Sequence, residues 1–174
     1  MGPADTVITL RAANPEDAPT IAAVHVSSWR WAYRDQLPQE TLDSLDVSER
    51  EDRWSRIIPS EGQIVLVATD GDAVVGFAHA AATDDDDVRP GTAQLFAIYL
   101  EERVAGTGVG RALLARATDE MGRTGFVRAT LWVLETNDRA RRFYERAGWT
   151  WDGSRRTHQS RCSNMPVVRY ARTL

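Results

Sequence analysis

Gly106, Gly108 and Gly110 alternate with other residues between an apolar stretch, Gln94–Leu100, and a row of apolar residues at helical spacing: Val109, Leu113, Ala117 and Met121, with Ala112 alongside. Glycines let a backbone approach a ligand with no Cβ in the way. A helix that starts in such a loop offers unpaired N–H groups and about half a positive charge, which together hold a phosphate. Residue types exclude two common phosphate chemistries. A Walker loop needs Lys and then Ser or Thr after its last glycine; here Arg111 and Ala112 follow, and all 21 basic residues are arginine. The lack of lysine also removes Schiff-base catalysis. The dinucleotide fingerprint fails because Arg111 stands where its third glycine belongs.

Few other side chains suit covalent or metal chemistry. Cys162 is the only cysteine and cannot form an intrachain disulfide, and no His/Cys group has metal-ligand spacing. Cys162 is read as inert, and no metal is expected. Among the three histidines, His25 and His158 have no partner visible in sequence. His79 lies in an apolar run next to the central strand, and its ordinary pKa near 6.5 suits proton transfer. A strand histidine satisfied by a hydrogen bond is the competing reading. Asn137 is placed to cap a helix over Asp138–Ala147.

Gln94–Leu114 resembles the pyrophosphate-binding motif of the GCN5-related N-acetyltransferase (GNAT) superfamily, with Gly108 and Gly110 at its two small positions. Ala105 departs from the Gln or Arg usual there. Asn137–Trp149 is similar to the family's second motif: Asn137, then Ala140, the Phe143–Tyr144 pair and the Gly148–Trp149 pair at matching offsets. Weaker similarity at Val24–Tyr33 and Val168–Arg172 extends it over nearly the whole chain.

The resemblance implies an enzyme that moves the acetyl group of acetyl-CoA to a primary amine, on a small molecule or a peptide, by direct attack. It implies that backbone groups of Ile98, Tyr99 and Leu100 pair with pantetheine. The pyrophosphate would sit on Ala105, Gly106, Thr107, Gly108, Val109, Gly110 and Arg111, with Asn137 and Arg141 also touching the cosubstrate. An N–H near Ile98 or Tyr99 would bind the thioester oxygen. Tyr144 matches the family's acid beside the CoA sulfur, and Trp29 and Tyr33 fall where the acceptor binds. Gln94 aligns with a position where relatives often carry a Glu base. An amide cannot take a proton, so the base is left open among His79, a water relay and an amine arriving neutral. The departures at Gln94 and Ala105 keep an alternative in view, a non-catalytic acyl-CoA-binding sensor of the same fold.

The elements needed to hold these groups can be read along the chain. Thr6–Arg11 reads as a first strand. Asn14-Pro15-Glu16-Asp17 starts a helix running to Tyr33, and Gln39–Ile57 reads as a second. Gln63–Thr69 and Ala73–Ala82 form a hairpin around Asp70-Gly71-Asp72. Gln94–Leu100, apolar at both alternating sets of positions, suits a strand covered on both faces. Arg128–Leu134 is a further strand, Gly148 closes the Asp138–Ala147 helix in the left-handed conformation, and Trp149–Ser154 and Val167–Thr173 are the final strands. The expectation is one α/β domain over residues 1–174, the GNAT fold: a mixed, mostly antiparallel sheet of six or seven strands with about four helices.

Length and 43% hydrophobic content fit one well-filled core. No apolar run is long enough to span a membrane and no leader pattern is present, so a cytoplasmic monomer or homodimer is expected. The net charge of −4 hides an asymmetry: from Arg103 onward fourteen arginines face six acids, and before it seven face nineteen. The scattered arginines carry no nucleic-acid-binding signature. Because the acid-rich half supplies most of the expected acceptor cleft, and Asp84–Asp87 lies beside its mouth, a cationic amine is the acceptor expected from charge.

Overall fold

Three antiparallel pairings build one side of the sheet. The computed structural model describes residues 7–159 and 164–174; Thr6, Arg161 and Cys162 lie outside the described residues. Strand β1 (Ile8–Ala12) pairs with β2 (Ile64–Asp70), β2 with β3 (Ala73–Ala82) across the Gly71 turn, and β3 with β4 (Thr92–Leu100). On the other side β5 (Arg128–Leu134), β7 (Asn164–Thr173) and β6 (Thr150–Gln159) are also antiparallel, with β7 between the other two. The full order is β1-β2-β3-β4-β5-β7-β6, and β4–β5 is its one parallel pair. The seven strands and the single mixed sheet agree with the sequence reading.

Helices cover both faces. Helix α1 (Ala18–Ala32) and helix α3 (Val47–Ile57) lay Ile21, Val24 and Trp54 on Val65, Val67 and Phe77. Helix α4 (Val109–Arg123) covers the opposite face, with Leu113, Leu114, Ala117 and Met121 packed on Leu66, Ala80, Leu95 and Leu131. Helix α5 (Asp138–Arg146) rests its Ala140, Phe143 and Tyr144 on the same core. Gly148, at φ +81°, ends that segment as expected.

The helix expected over Gln39–Ile57 is two helices, α2 (Gln39–Asp43) and α3. Asp46 is extended at φ −106°, ψ 124°, and its carboxylate accepts the Glu49 N–H at 3.0 Å, so a new helix starts there. Leu37 and Leu42 are thereby freed to pack with Met165. The first helix is entered through a 3-10 turn, Pro15–Asp17, where Asp17 accepts the Asn14 N–H and both Arg11 guanidinium nitrogens. The final strands are also longer than their apolar patterns, because the outer face of β6 is polar and exposed.

The acidic loop between β3 and β4 is bound down. Arg169 of β7, only 5% exposed, makes a bidentate pair with Asp87 at 2.6 and 2.8 Å, a 2.7 Å pair with Asp152 and a 3.4 Å contact to Asp85. Arg156 reaches Asp85 at 2.7 Å and lies 3.9 Å above the Trp132 ring, whose N–H also donates to Asp85. Burial alone would raise the Asp152 carboxyl, but the Ser154 amide and Arg169 hold it below its usual value.

Arg169→Met leaves Asp87 and Asp152 without their cation, while Asp85 keeps Arg156. It should cost about 3 kcal/mol, the lower end for breaking a buried pair, read as a melting temperature lower by roughly 10 °C. Asp87 and Asp152 titrate below their unfolded values in the native state, so their contribution is present above about pH 4 and is lost as pH falls through the folded values. The variant should have lost most of that acid dependence; an unchanged melting temperature across the acid range would show that the network is not cohesive.

Candidate active site

The two halves of the sheet part at their centre. β4 pairs with β5 only from Thr92 to Leu95, opposite Arg128 to Leu131. On its other side Ala80 faces Leu95 while His79 faces Ala97, so Phe96 is an extra residue, a β-bulge that turns the strand away. The second half of β4 is therefore not covered on both faces as its apolar pattern suggested: Phe96 is 40% exposed and Ala97 to Leu100 are half-buried.

The bulge decides which backbone groups face the gap. The Glu101 N–H donates to Val75 O, so by the two-residue alternation of an antiparallel ladder Tyr99 also turns to β3, whereas Ile98 and Leu100 turn to the open side. Of the three residues expected to pair with pantetheine, Ile98 offers both of its groups. Leu100 offers only its N–H, because its carbonyl already accepts from Ser28 Oγ at 2.7 Å and Trp31 Nε1 at 3.2 Å. Tyr99 contributes its ring instead. Ser28 and Trp31 thus anchor α1 to the end of β4, a role with no signal in sequence beyond one polar and one aromatic residue facing inward.

The glycine loop meets this edge. Gly108 has φ +96°, a left-handed conformation that L side chains disfavour, and it opens α4. The N–H groups of Gly106, Gly108, Val109, Gly110 and Arg111 have no backbone acceptor among the described residues, while Ala112 N–H closes the first turn on Gly108 O at 3.1 Å. Ala105 and Thr107 do not join that donor set: their N–H groups bond to Glu102 O and Val104 O across a 3-10 turn, and Thr107 Oγ1 also donates to Val104 O. Gly110 is required for a different reason, since a Cβ there would lie 3.0 Å from Leu100 Cδ1 and 3.7 Å from Phe143. That close approach brings α5 up against the start of α4.

Tyr144 follows Phe143 on α5. Its ring is half-buried, edge-on to Phe143 at 5.2 Å and to Trp149 at 6.4 Å, and its hydroxyl has no hydrogen-bond partner among the described residues. Burial, with the Tyr99 phenol nearby, raises it above its ordinary value, so it stays protonated. Asn137 performs the capping job, its Oδ1 accepting the Ala140 N–H at 3.1 Å. Arg141 is turned away from the phosphate loop: it donates to Tyr170 Oη and to Glu135 O, fixing α5 on β7.

Across the gap, on the face of α1 and α3, lies an aromatic wall. His25 stacks on Tyr99 at 5.3 Å, Trp29 meets Tyr33 edge-on at 5.1 Å, and the Tyr33 and Tyr99 hydroxyls are 3.4 Å apart. His79 stacks on the bulge residue Phe96 at 5.3 Å, and its Nε2 lies 2.7 Å from Gln63 Oε1. An amide oxygen only accepts, so Nε2 carries the proton and Nδ1 the lone pair. Burial and then Arg53 depress His79 to about 4, and burial with Arg50 and Arg53 depresses His25 to about 3. His25 is a core residue that accepts from Trp54 Nε1 at 3.3 Å, and His158 is exposed. Gln94 is buried before the bulge, its Oε1 accepting from Thr83 Oγ1 at 3.1 Å. Among the described residues no group of three or more His, Cys, Asp or Glu is arranged to hold a metal, and no helix is long and apolar enough to cross a membrane.

Known proteins share this architecture. The model of the acetyltransferase (GNAT) family matches residues 25–149. The uncharacterized N-acetyltransferase YuaI of Bacillus subtilis is 38% identical over 133 residues, 75% of this chain and 74% of the relative. Among solved structures, the PaiA N-acetyltransferase of Thermoplasma acidophilum in complex with coenzyme A superposes with a TM-score of 0.76 at 20% identity, covering 97% of this chain and 99% of that one. YncA of Salmonella typhimurium, solved with its cofactor acetyl-CoA, gives 0.74 at 19% identity, covering 96% and 94%. At those identities the structural likeness concerns the fold.

Proposed function

Because the chain belongs to the acetyltransferase (GNAT) family, we propose that it transfers the acetyl group of acetyl-CoA to a primary amine by direct attack in the gap between β4 and β5. The observation that carries this reading is a single continuous track. It runs from five N–H groups at the start of α4, along the open Ile98 edge, to the Tyr144 hydroxyl, all without partners among the described residues. Pyrophosphate fits the first part, and pantetheine fits the second as an added strand. The thioester carbonyl would reach the Ile98 N–H, which then stabilises the oxyanion as the amine adds.

Collapse of the tetrahedral adduct expels the CoA thiolate. Tyr144, protonated throughout the physiological range, donates a hydrogen bond and then a proton to the leaving sulfur, and the amine's proton is lost to the base. His79 Nδ1 lies at the bulge where that proton would be released, but at about 4 it is a weak base. A relay through water, oriented by the Gln94 amide, is the route this chemistry favours. The noncatalytic sensor reading gains nothing from the unpartnered Tyr144, since a pure binder needs no acid beside sulfur.

Acetyl-CoA or CoA at about 100 times its Kd should stabilise the protein by roughly 2.7 kcal/mol, read as a raised melting temperature, with no comparable shift from ATP or NAD. No shift at millimolar CoA rejects the proposal. Release of CoA thiol across a panel of amines then separates enzyme from sensor.

A further inference from the structure

The charge at the acceptor side is the reverse of what the acid-rich first half suggested. Asp85 and Asp87, on the loop that leads into β4, are engaged by Arg169 and Arg156, and Glu101 and Glu102, next to its open end, pair with Arg103 and Arg34, so these acids are not free to attract a cation. On α3 are Arg50 and Arg53, about one helical turn apart and both just before the buried Trp54. Neither guanidinium makes an ion pair or a hydrogen bond to any described residue. Arg50 is half-buried with its guanidinium 6.0 Å from the centre of the Trp29 ring. Its neighbour Glu49 is about 100° away around the helix and makes no ion pair with it.

A partly desolvated guanidinium without a counter-ion is costly and is normally found paired. Arg50, half-buried beside the aromatic wall with the exposed Arg53 one turn on, marks a place where an anion completes the site. The pair lies on the His79 and Phe96 side of the bulge, away from the α4 loop that serves the pyrophosphate. The anion is therefore carried by the acceptor and not by CoA.

We infer that Arg50 and Arg53 bind a carboxylate of the acceptor, so that the amine acetylated here belongs to an amino acid or a related amino-carboxylate. The inference rests on the acetyltransferase reading above and narrows its acceptor. The planar fork of Arg50, braced on Trp29, would take the carboxylate side-on. Arg53, more exposed, would guide the acceptor in and disfavour a second positive charge.

Acceptors that differ only at the carboxylate test this. The twenty common amino acids are compared with their carboxamides and their decarboxylated amines by CoA release, and the N-acetyl derivatives of each set are titrated into CoA-saturated protein by calorimetry. The expected result is a kcat/KM at least about 10-fold higher for one or more free acids than for both neutral counterparts, carried mainly by KM. R50Q and R53Q should each erase most of that preference while the CoA Kd stays within two-fold. R50K, which keeps the charge and loses the fork, should restore only part of it.

Carboxamides or simple amines turned over as well as the acids, or a preference untouched in both glutamine variants, overturn the inference. If CoA binds but no amine of any kind is acetylated, the acetyltransferase reading fails separately and the titration decides. N-acetyl amino acids that bind wild type and not R50Q uphold the carboxylate site, and binding no tighter than that of N-acetylalkylamines overturns it.

Discussion

Replacing Gly108 by aspartate should raise the Kd for CoA by about 100-fold or more and leave the fold in place. Two effects add. The left-handed backbone at φ +96° costs an L residue roughly 1–2 kcal/mol, and a carboxylate at the opening of α4 competes with the pyrophosphate for the same unpaired N–H groups. Folding should survive because a Cβ at Gly108 meets no atom within 4 Å. Circular dichroism should be unaltered, the melting temperature of the free protein should drop only slightly, and the stabilisation by CoA should vanish. A variant that binds CoA normally would show that the cosubstrate is not held at this helix start.

The second large effect is expected at Tyr144. Tyr144→Phe should lower kcat by roughly 10²-fold, within the usual range for losing a general acid and equal to about 2.7 kcal/mol of barrier. CoA affinity should move by no more than a few fold. The hydroxyl has no hydrogen-bond partner among the described residues, so its removal leaves no orphaned group there and no cavity larger than one oxygen. The pH–rate profile carries a second check: with His79 held to about 4, wild type should show no break near 6.5, and activity should rise with pH as the amine loses its proton. Unchanged turnover in the variant would return Tyr144 to a packing role beside Phe143 and Trp149.

What could be read in advance was whatever depends on neighbours in sequence. The glycine loop and its helix are local, as are the Asn137 cap and the Gly148 stop, and each was placed correctly from spacing alone. The bulge at Phe96 was invisible because it is a property of pairing: residues 94–100 are apolar on both faces whether or not β5 follows them. The break at Asp46 was missed because three residues, Ser44-Leu45-Asp46, interrupt a helical pattern too briefly to register against it.

The charge reading could not see tertiary pairing for a similar reason. Asp85 and Asp87 meet Arg169 more than eighty positions away, and a count of acids per half cannot foresee which of them will be neutralised. Arg50 and Arg53 carried one usable signal, their place within one turn before a buried tryptophan on α3, but without the tertiary structure they look like a solvated helix face.

The short seam between β4 and β5 has a consequence for how the molecule comes apart. Four residue pairs of parallel ladder join two antiparallel groups, β1–β4 and β5–β7, each of which has far longer ladders of its own. Such groups behave as cooperative units, and the boundary between them is where sub-global opening takes the least free energy. A ligand lying along Ile98 on one side and against α5 on the other spans that boundary. Its binding energy would then be shared with the docking of the two units, so the free protein should open first along this line and a cosubstrate bound there should act as the missing rung that holds it shut.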